Sequence, residues 1–158
     1  MRLAAIAALT LTGAAACGGE PDAPEDATSA TAPSIASDMT LPVEEPFCAF
    51  TADNAAMDGE TTPYVFVTAM GDSVYHGYAK LDGEVTRLTE VEAGFGAGME
   101  TRRFVTEDDS VELEVILLDQ QEGEEAAEYT GSVRVIYPVE GEAVKFYGEC
   151  RYAENGEQ

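Results

Sequence analysis

Ser110-Val111-Glu112-Leu113-Glu114-Val115-Ile116-Leu117-Leu118 carries the pattern of a strand buried on one side. Val111, Leu113, Val115 and Leu117 fall on one face, with Glu112 and Glu114 on the other, the period of two that a half-buried β-strand requires. Val133, Val135 and Tyr137 repeat the pattern with Arg134 facing away. Val65 and Val67 form a third instance, and Val144, Phe146 and Gly148 a fourth. If Ser110–Leu118 folds back on Tyr129–Pro138, Glu114 comes to lie beside Arg134 on the solvent face, an exposed pair contributing at most about 1 kcal/mol.

Working outward, turn residues separate further runs of the same kind. Asp82-Gly83 stands between Ser73–Leu81 and Glu84–Glu92, and an Asp-Gly pair supplies the positive φ angles of a type I′ hairpin. Glu140-Gly141 is placed similarly between Gly131–Val139 and Glu142–Tyr152. Gly71-Asp72 divides Tyr64–Met70 from Ser73–Leu81, and Glu107-Asp108-Asp109 divides Thr101–Thr106 from Ser110–Leu118. A looser loop is expected over Asp119–Glu128. With Phe47–Ala52 this makes about eight short strands, so the fold class is all-β, a small antiparallel barrel or sandwich over residues 47–152. No stretch shows a helical apolar stripe, and Thr51–Met57 offers at most one helical turn. Residues 153–158 are expected to be a flexible tail.

Cys48 and Cys150 lie on the first and last expected strands. Outside the cytoplasm two such cysteines are expected to pair, joining the ends of the sheet and favouring a closed barrel. Two buried thiols remain the alternative. The bond would close a loop of about 100 residues, which the chain-entropy estimate values at about 4.7 kcal/mol before native strain is subtracted.

Residues 1–16 have the three parts of a secretory signal: Arg2, an apolar core from Leu3 to Leu11, and the small residues Ala14-Ala15-Ala16. That core is too short for a membrane-spanning helix, which needs about 20 residues. Gly13-Ala14-Ala15-Ala16-Cys17 resembles the lipobox of bacterial lipoproteins, with Ala14 where leucine is usual. The resemblance implies that Cys17 is lipidated and becomes the mature N-terminus, whereas ordinary cleavage after Ala16 would leave it a thiol. It also implies a place in the bacterial cell envelope, and Gly18 after the cysteine points to the outer membrane, facing the periplasm. From Cys17 to Pro46 the chain is rich in Ala, Pro, Ser, Thr, Asp and Glu, with Pro21, Pro24, Pro33, Pro42 and Pro46 interrupting any helix. Such a composition is expected to form a disordered tether.

The formal net charge is −23 over 158 residues. Nucleic acid and anionic membrane surfaces would be repelled, and cationic proteins or divalent ions attracted. His76 is the single histidine, which removes multi-histidine metal centres and leaves a nucleophilic triad only one base to draw on. Glu107, Asp108 and Asp109, and Glu122, Glu124, Glu125 and Glu128, lack the spacing of a dedicated calcium loop, so weak diffuse binding is the most they imply. Gly94-Phe95-Gly96-Ala97-Gly98 lacks the Lys-Ser/Thr of a phosphate loop and is expected to be a flexible connection. With Arg102 and Arg103 after it, the densest positive spot on an acidic chain, Gly94, Phe95, Gly96, Gly98, Arg102 and Arg103 form the candidate contact surface. No catalytic residue, cofactor or metal ligand is assigned.

A lipid signal, a short tether, an eight-strand domain and one disulfide together resemble the membrane-bound inhibitors of c-type lysozyme. The likeness lies in the layout, implies a small barrel that binds a cationic enzyme, and transfers no residue. The expected function is a non-enzymatic, lipid-anchored binding module for a cationic protein or other envelope component. Structural or assembly lipoprotein of an envelope complex is the alternative, and weak calcium binding ranks below it.

Overall fold

The computed structural model describes residues 31–52, 62–96, 99–123 and 126–152, without the side chains of Asp119 and Gln120. The signal peptide, Cys17, the first half of the tether, residues 53–57 of the helical turn, and the tail at 153–158 lie outside the described residues. Among the described residues nine strands follow in order: β1 Ile35–Ala36, β2 Cys48–Thr51, β3 Phe66–Met70, β4 Tyr75–Leu81, β5 Glu84–Gly96, β6 Met99–Thr106, β7 Glu112–Glu122, β8 Ala126–Tyr137 and β9 Val144–Arg151. From β2 to β9 each strand pairs antiparallel with its successor, and β9 returns to β2. The result is a closed up-and-down barrel of eight strands, which removes sheet edges by closure. Closure decides between barrel and sandwich.

Side chains fill the inside. Phe50 and Phe146 stack with ring centroids 4.3 Å apart, and Phe66 meets Phe104 edge-on at 5.2 Å. Leu88, Leu113, Val115, Val133 and Val135 complete a core in which each is at most 1% exposed. β7 behaves as its alternation requires: Leu113, Val115 and Leu117 point inward, and Glu114 pairs with Arg134 directly across the sheet. Arg134 donates from Nε to Glu114 at 2.9 Å and also contacts Glu140. Cys48 and Cys150 are direct cross-strand partners on the closing seam and form a disulfide.

Four local expectations change. Val65 packs in the main core but Val67 points to the outer face, because the chain bends at Val65 before β3 begins at Phe66. Tyr137 is half exposed, since Ile136 is an extra residue between the pairs Glu112–Tyr137 and Leu113–Val135, and such a bulge moves every later side chain to the other face. Glu140-Gly141 is not a tight primed turn: β8 stops at Tyr137, before Pro138, and Gly141 donates back to the Val135 carbonyl at 2.9 Å. Most of the loop expected over Asp119–Glu128 is paired strand, with Gln121 opposite Glu128 and Glu122 opposite Ala127.

The tether is the larger correction. Its second half, from Thr31 to Pro46, lies against the barrel. β1 pairs with Leu81 and Lys80, just beyond the point where β3 stops along β4. Ser34 N and Oγ donate to Asp82 at 2.8 and 3.0 Å, and Lys80 pairs with Asp38 at 3.0 Å. Met39 exchanges two backbone hydrogen bonds with Tyr64 and is 1% exposed. Met39, Tyr64 and Val67, with Val43, Ala49 and Tyr78 around them, make a second small core on the outside of β2, β3 and β4. The physical reason is local: a few apolar side chains at the right places outweigh a polar average composition.

Candidate binding face at the barrel mouth

A meander alternates its connections between two ends of the barrel. One end carries the Asp82-Gly83 turn, the β6–β7 and β8–β9 turns and β1. Ala32, Ile35, Val111 and Val144 pack on the core there and close it. The other end carries the β3–β4, β5–β6 and β7–β8 hairpins, together with the start of β2 and the finish of β9. This end is open. A cavity of about 190 Å³ lies in its mouth, walled by Phe47, Glu100, Arg102, Leu117, Tyr129 and Tyr152, among others. Deeper in, a void of about 10 Å³ beneath Arg102 is the size of one water, so the barrel has no interior ligand chamber there.

Arg102 occupies the mouth because β6 alternates: Phe104 is the last aromatic of the core, and Arg102 lies two residues toward the rim on the same face. Its guanidinium contacts Glu100, pairs with Glu90 at 3.1 Å and lies 5.2 Å from the Tyr75 ring centroid. Tyr75 in turn packs on Phe47 at 4.9 Å. All three charged groups are largely buried. Desolvation holds the Glu90 carboxyl above its ordinary value despite the pull of Arg102, and burial similarly raises the Tyr129 phenol. Arg103 points the other way, to the outer wall, where it pairs with Glu92 at 3.1 Å and with Glu112.

These contacts revise the expected contact surface. Arg102 and Arg103 are on opposite faces, and each is held between two carboxylates. Neither is an exposed positive spot. Gly94, Phe95 and Gly96 belong to β5, paired with Thr101, Glu100 and Met99, so the glycine stretch is hairpin rather than loose connection up to Gly96. Gly98 and Ala97 lie outside the described residues. Phe95 is 77% exposed near the end of this hairpin.

Both long hairpins carry an extra residue or two where they leave the barrel wall. Val91 has no partner between the pairs Glu90–Phe104 and Glu92–Arg103, and β7 has two residues against one of β8 between Leu118 and Gln121. Bulges bend and twist the ribbon that bears them. Around this end Met70, Val74, Phe95, Met99, Leu118 and Tyr152 are exposed, an apolar rim that the alternation pattern alone would not place together.

The remaining candidates are spread elsewhere. His76 is on the outer face of β4 between Ala69 and Thr89, with its ring over Gly71. Asp108 at the closed end accepts from Ser110 N, Ser110 Oγ and Thr106 Oγ1, and these bonds pull its carboxyl down to about 2. Its charge is engaged in the turn. Among the described residues no group of three or more His, Cys, Asp or Glu side chains stands where it could hold a metal ion.

Fold and site together define a filled eight-stranded up-and-down barrel with one closed end and one open mouth that carries an apolar rim and the charged side chains Glu100, Arg102 and Arg151. No protein-family model, no curated protein and no solved structure matches the chain.

Proposed function

We propose that this protein is a non-enzymatic, lipid-anchored module of the bacterial envelope that docks a cationic partner at the mouth of its barrel. The observation that carries the reading is the coincidence at one end of exposed apolar side chains with excess negative charge. Phe95, Met70 and their neighbours offer apolar contact area. Toward that end Asp72, Glu90, Glu92, Glu100, Glu122, Glu128 and Glu149 outnumber Arg102, Arg103 and Arg151, so it keeps a net negative charge. A chain at −23 overall adds long-range attraction for a positive partner and repulsion for nucleic acid. A filled interior directs recognition to the rim rather than to a ligand chamber. The anchor is carried by the lipobox-like Gly13–Cys17.

The test is retention of cationic and anionic proteins of similar size by the immobilised full chain across ionic strength. Selective retention of the cationic proteins, weakening as salt shortens the screening length, supports the reading. Binding that ignores both charge and salt overturns it. Crosslinking in intact envelopes, compared with a Cys17→Ala control, then identifies the resident partner. Intact mass of the purified chain tests the anchor directly, and an unmodified Cys17 sinks that part.

A further inference from the structure

We infer that β5 carries a site for strand addition: its edge from Val91 to Gly96 accepts an extended cationic segment of the partner as an added antiparallel or parallel strand. This deepens the proposed function and rests on it. β4 pairs with β5 only as far as His76 opposite Thr89, whereas β5 continues to Gly96, held there on its other side by β6. Among the described residues no strand covers the β4 side of β5 beyond Thr89, and all six residues from Val91 to Gly96 are exposed. Closure removes the edges over most of the barrel wall, and this edge is left where one hairpin outgrows its neighbour. An open edge presents unpaired backbone N–H and C=O groups, the template that strand addition uses.

The glycines sharpen the inference. In the barrel wall, Gly77, Gly131 and Gly148 are required by packing, since a Cβ on each would come within 3.0 Å of an aromatic ring. Gly94 and Gly96 are under no such demand: a Cβ on Gly94 would meet nothing nearer than 3.9 Å, and on Gly96 nothing within 4 Å. Neither has a positive φ. Glycine in a strand without a packing reason leaves the backbone bare for close approach of another chain.

Register states what the incoming strand should look like. Beyond the Val91 bulge, Glu92, Gly94 and Gly96 share the outer face with Arg103 and Met99, while Ala93 and Phe95 share the mouth face with Arg102 and Glu100. An added strand therefore places alternate residues beside Glu92 and the others beside Phe95. Glu92 is shared with Arg103, so the preference for cationic side chains comes from the charge of −23 on the chain as a whole, and apolar ones suit the row beside Phe95. A second copy of this chain is a poor occupant, because it would bring its own Glu92 and a charge of −23 to a site of like sign.

The probe is a short synthetic peptide of alternating lysine and valine, set against the same peptide N-methylated at every residue. Both have the same charge, but the methylated one cannot complete a ladder. The full chain is titrated with each at low salt while amide hydrogen exchange is followed. The plain peptide should bind at least about tenfold more tightly, the equivalent of one or two backbone hydrogen bonds, and should slow exchange within Val91–Gly96. Equal binding of the two peptides, or protection elsewhere, overturns strand addition and leaves the cationic reading standing. No binding of either overturns both. Protection of Val91–Gly96 that rises with protein concentration and without peptide would replace the partner with a second copy, and so also overturn the proposal.

Discussion

A Cβ on Gly148 would lie 2.0 Å from the Ala49 carbonyl oxygen and 2.7 Å from the Phe50 ring, whereas one on Gly96 would meet nothing within 4 Å. Gly148→Ala must therefore move backbone or ring and is expected to cost about 1–3 kcal/mol, the usual penalty of overpacking. Gly96→Ala should change stability by no more than about 0.5 kcal/mol; paired urea melts measure both. Asp108 supplies the pH-dependent counterpart. Its folded value of about 2 is below the ordinary 3.8, so the stabilisation it gives is present above 3.8 and disappears as pH falls through about 2. The melting-temperature gap between the wild type and Asp108→Asn should accordingly be open at neutral pH and close between those values. Glu107-Asp108-Asp109 was legible as a turn from its composition. That Asp108 itself ties the turn through Thr106 and Ser110 was not, because a side-chain bond of that kind depends on local backbone geometry.

Among the elements, the segment from Thr31 to Pro46 is the one that composition conceals. Its prolines and acidic residues read as tether, yet Met39 is buried against Tyr64 and Val67 on the outside of the barrel. Met39→Ala should lower stability by about 2–3 kcal/mol, as loss of a buried large side chain does. Asp38→Ala, which removes only an exposed pair with Lys80, should cost no more than about 1 kcal/mol. A tether detached from the domain would show no effect in either denaturant melt. The hairpins divide along similar lines. Asp82-Gly83 was readable because its chemistry fits positive φ at both positions, and φ is 48° and 88°. The length of β5 was not, because Gly94 and Gly96 argue against strand in any propensity scale and are kept there by their ladder to β6. The bulge at Val91 leaves no mark in the sequence, and without it the rim of the mouth cannot be drawn.

For the whole molecule, alternation and turn spacing were enough to give strand count and class, since one face of each strand had to be buried. Closure needed the pairing of β9 with β2, the shortest strand of the ring, through only four residue pairs from Cys48–Cys150 to Thr51–Tyr147. The disulfide fastens this seam at the mouth end. Replacing Cys48 and Cys150 by serine should cost about 2–5 kcal/mol, and amides of β2 should then exchange before those of β7 and β8. A uniform acceleration would instead mean that the seam is no weaker than the rest. The segment from Thr31 onward begins at the Asp82 end, runs up the outside of the barrel and arrives at Phe47 beside the mouth. Whatever precedes Thr31 thus departs from the pole opposite the mouth. Any pull applied through that preceding chain would therefore load the barrel at its closed pole, the full length of a strand away from Phe95 and the β5 edge.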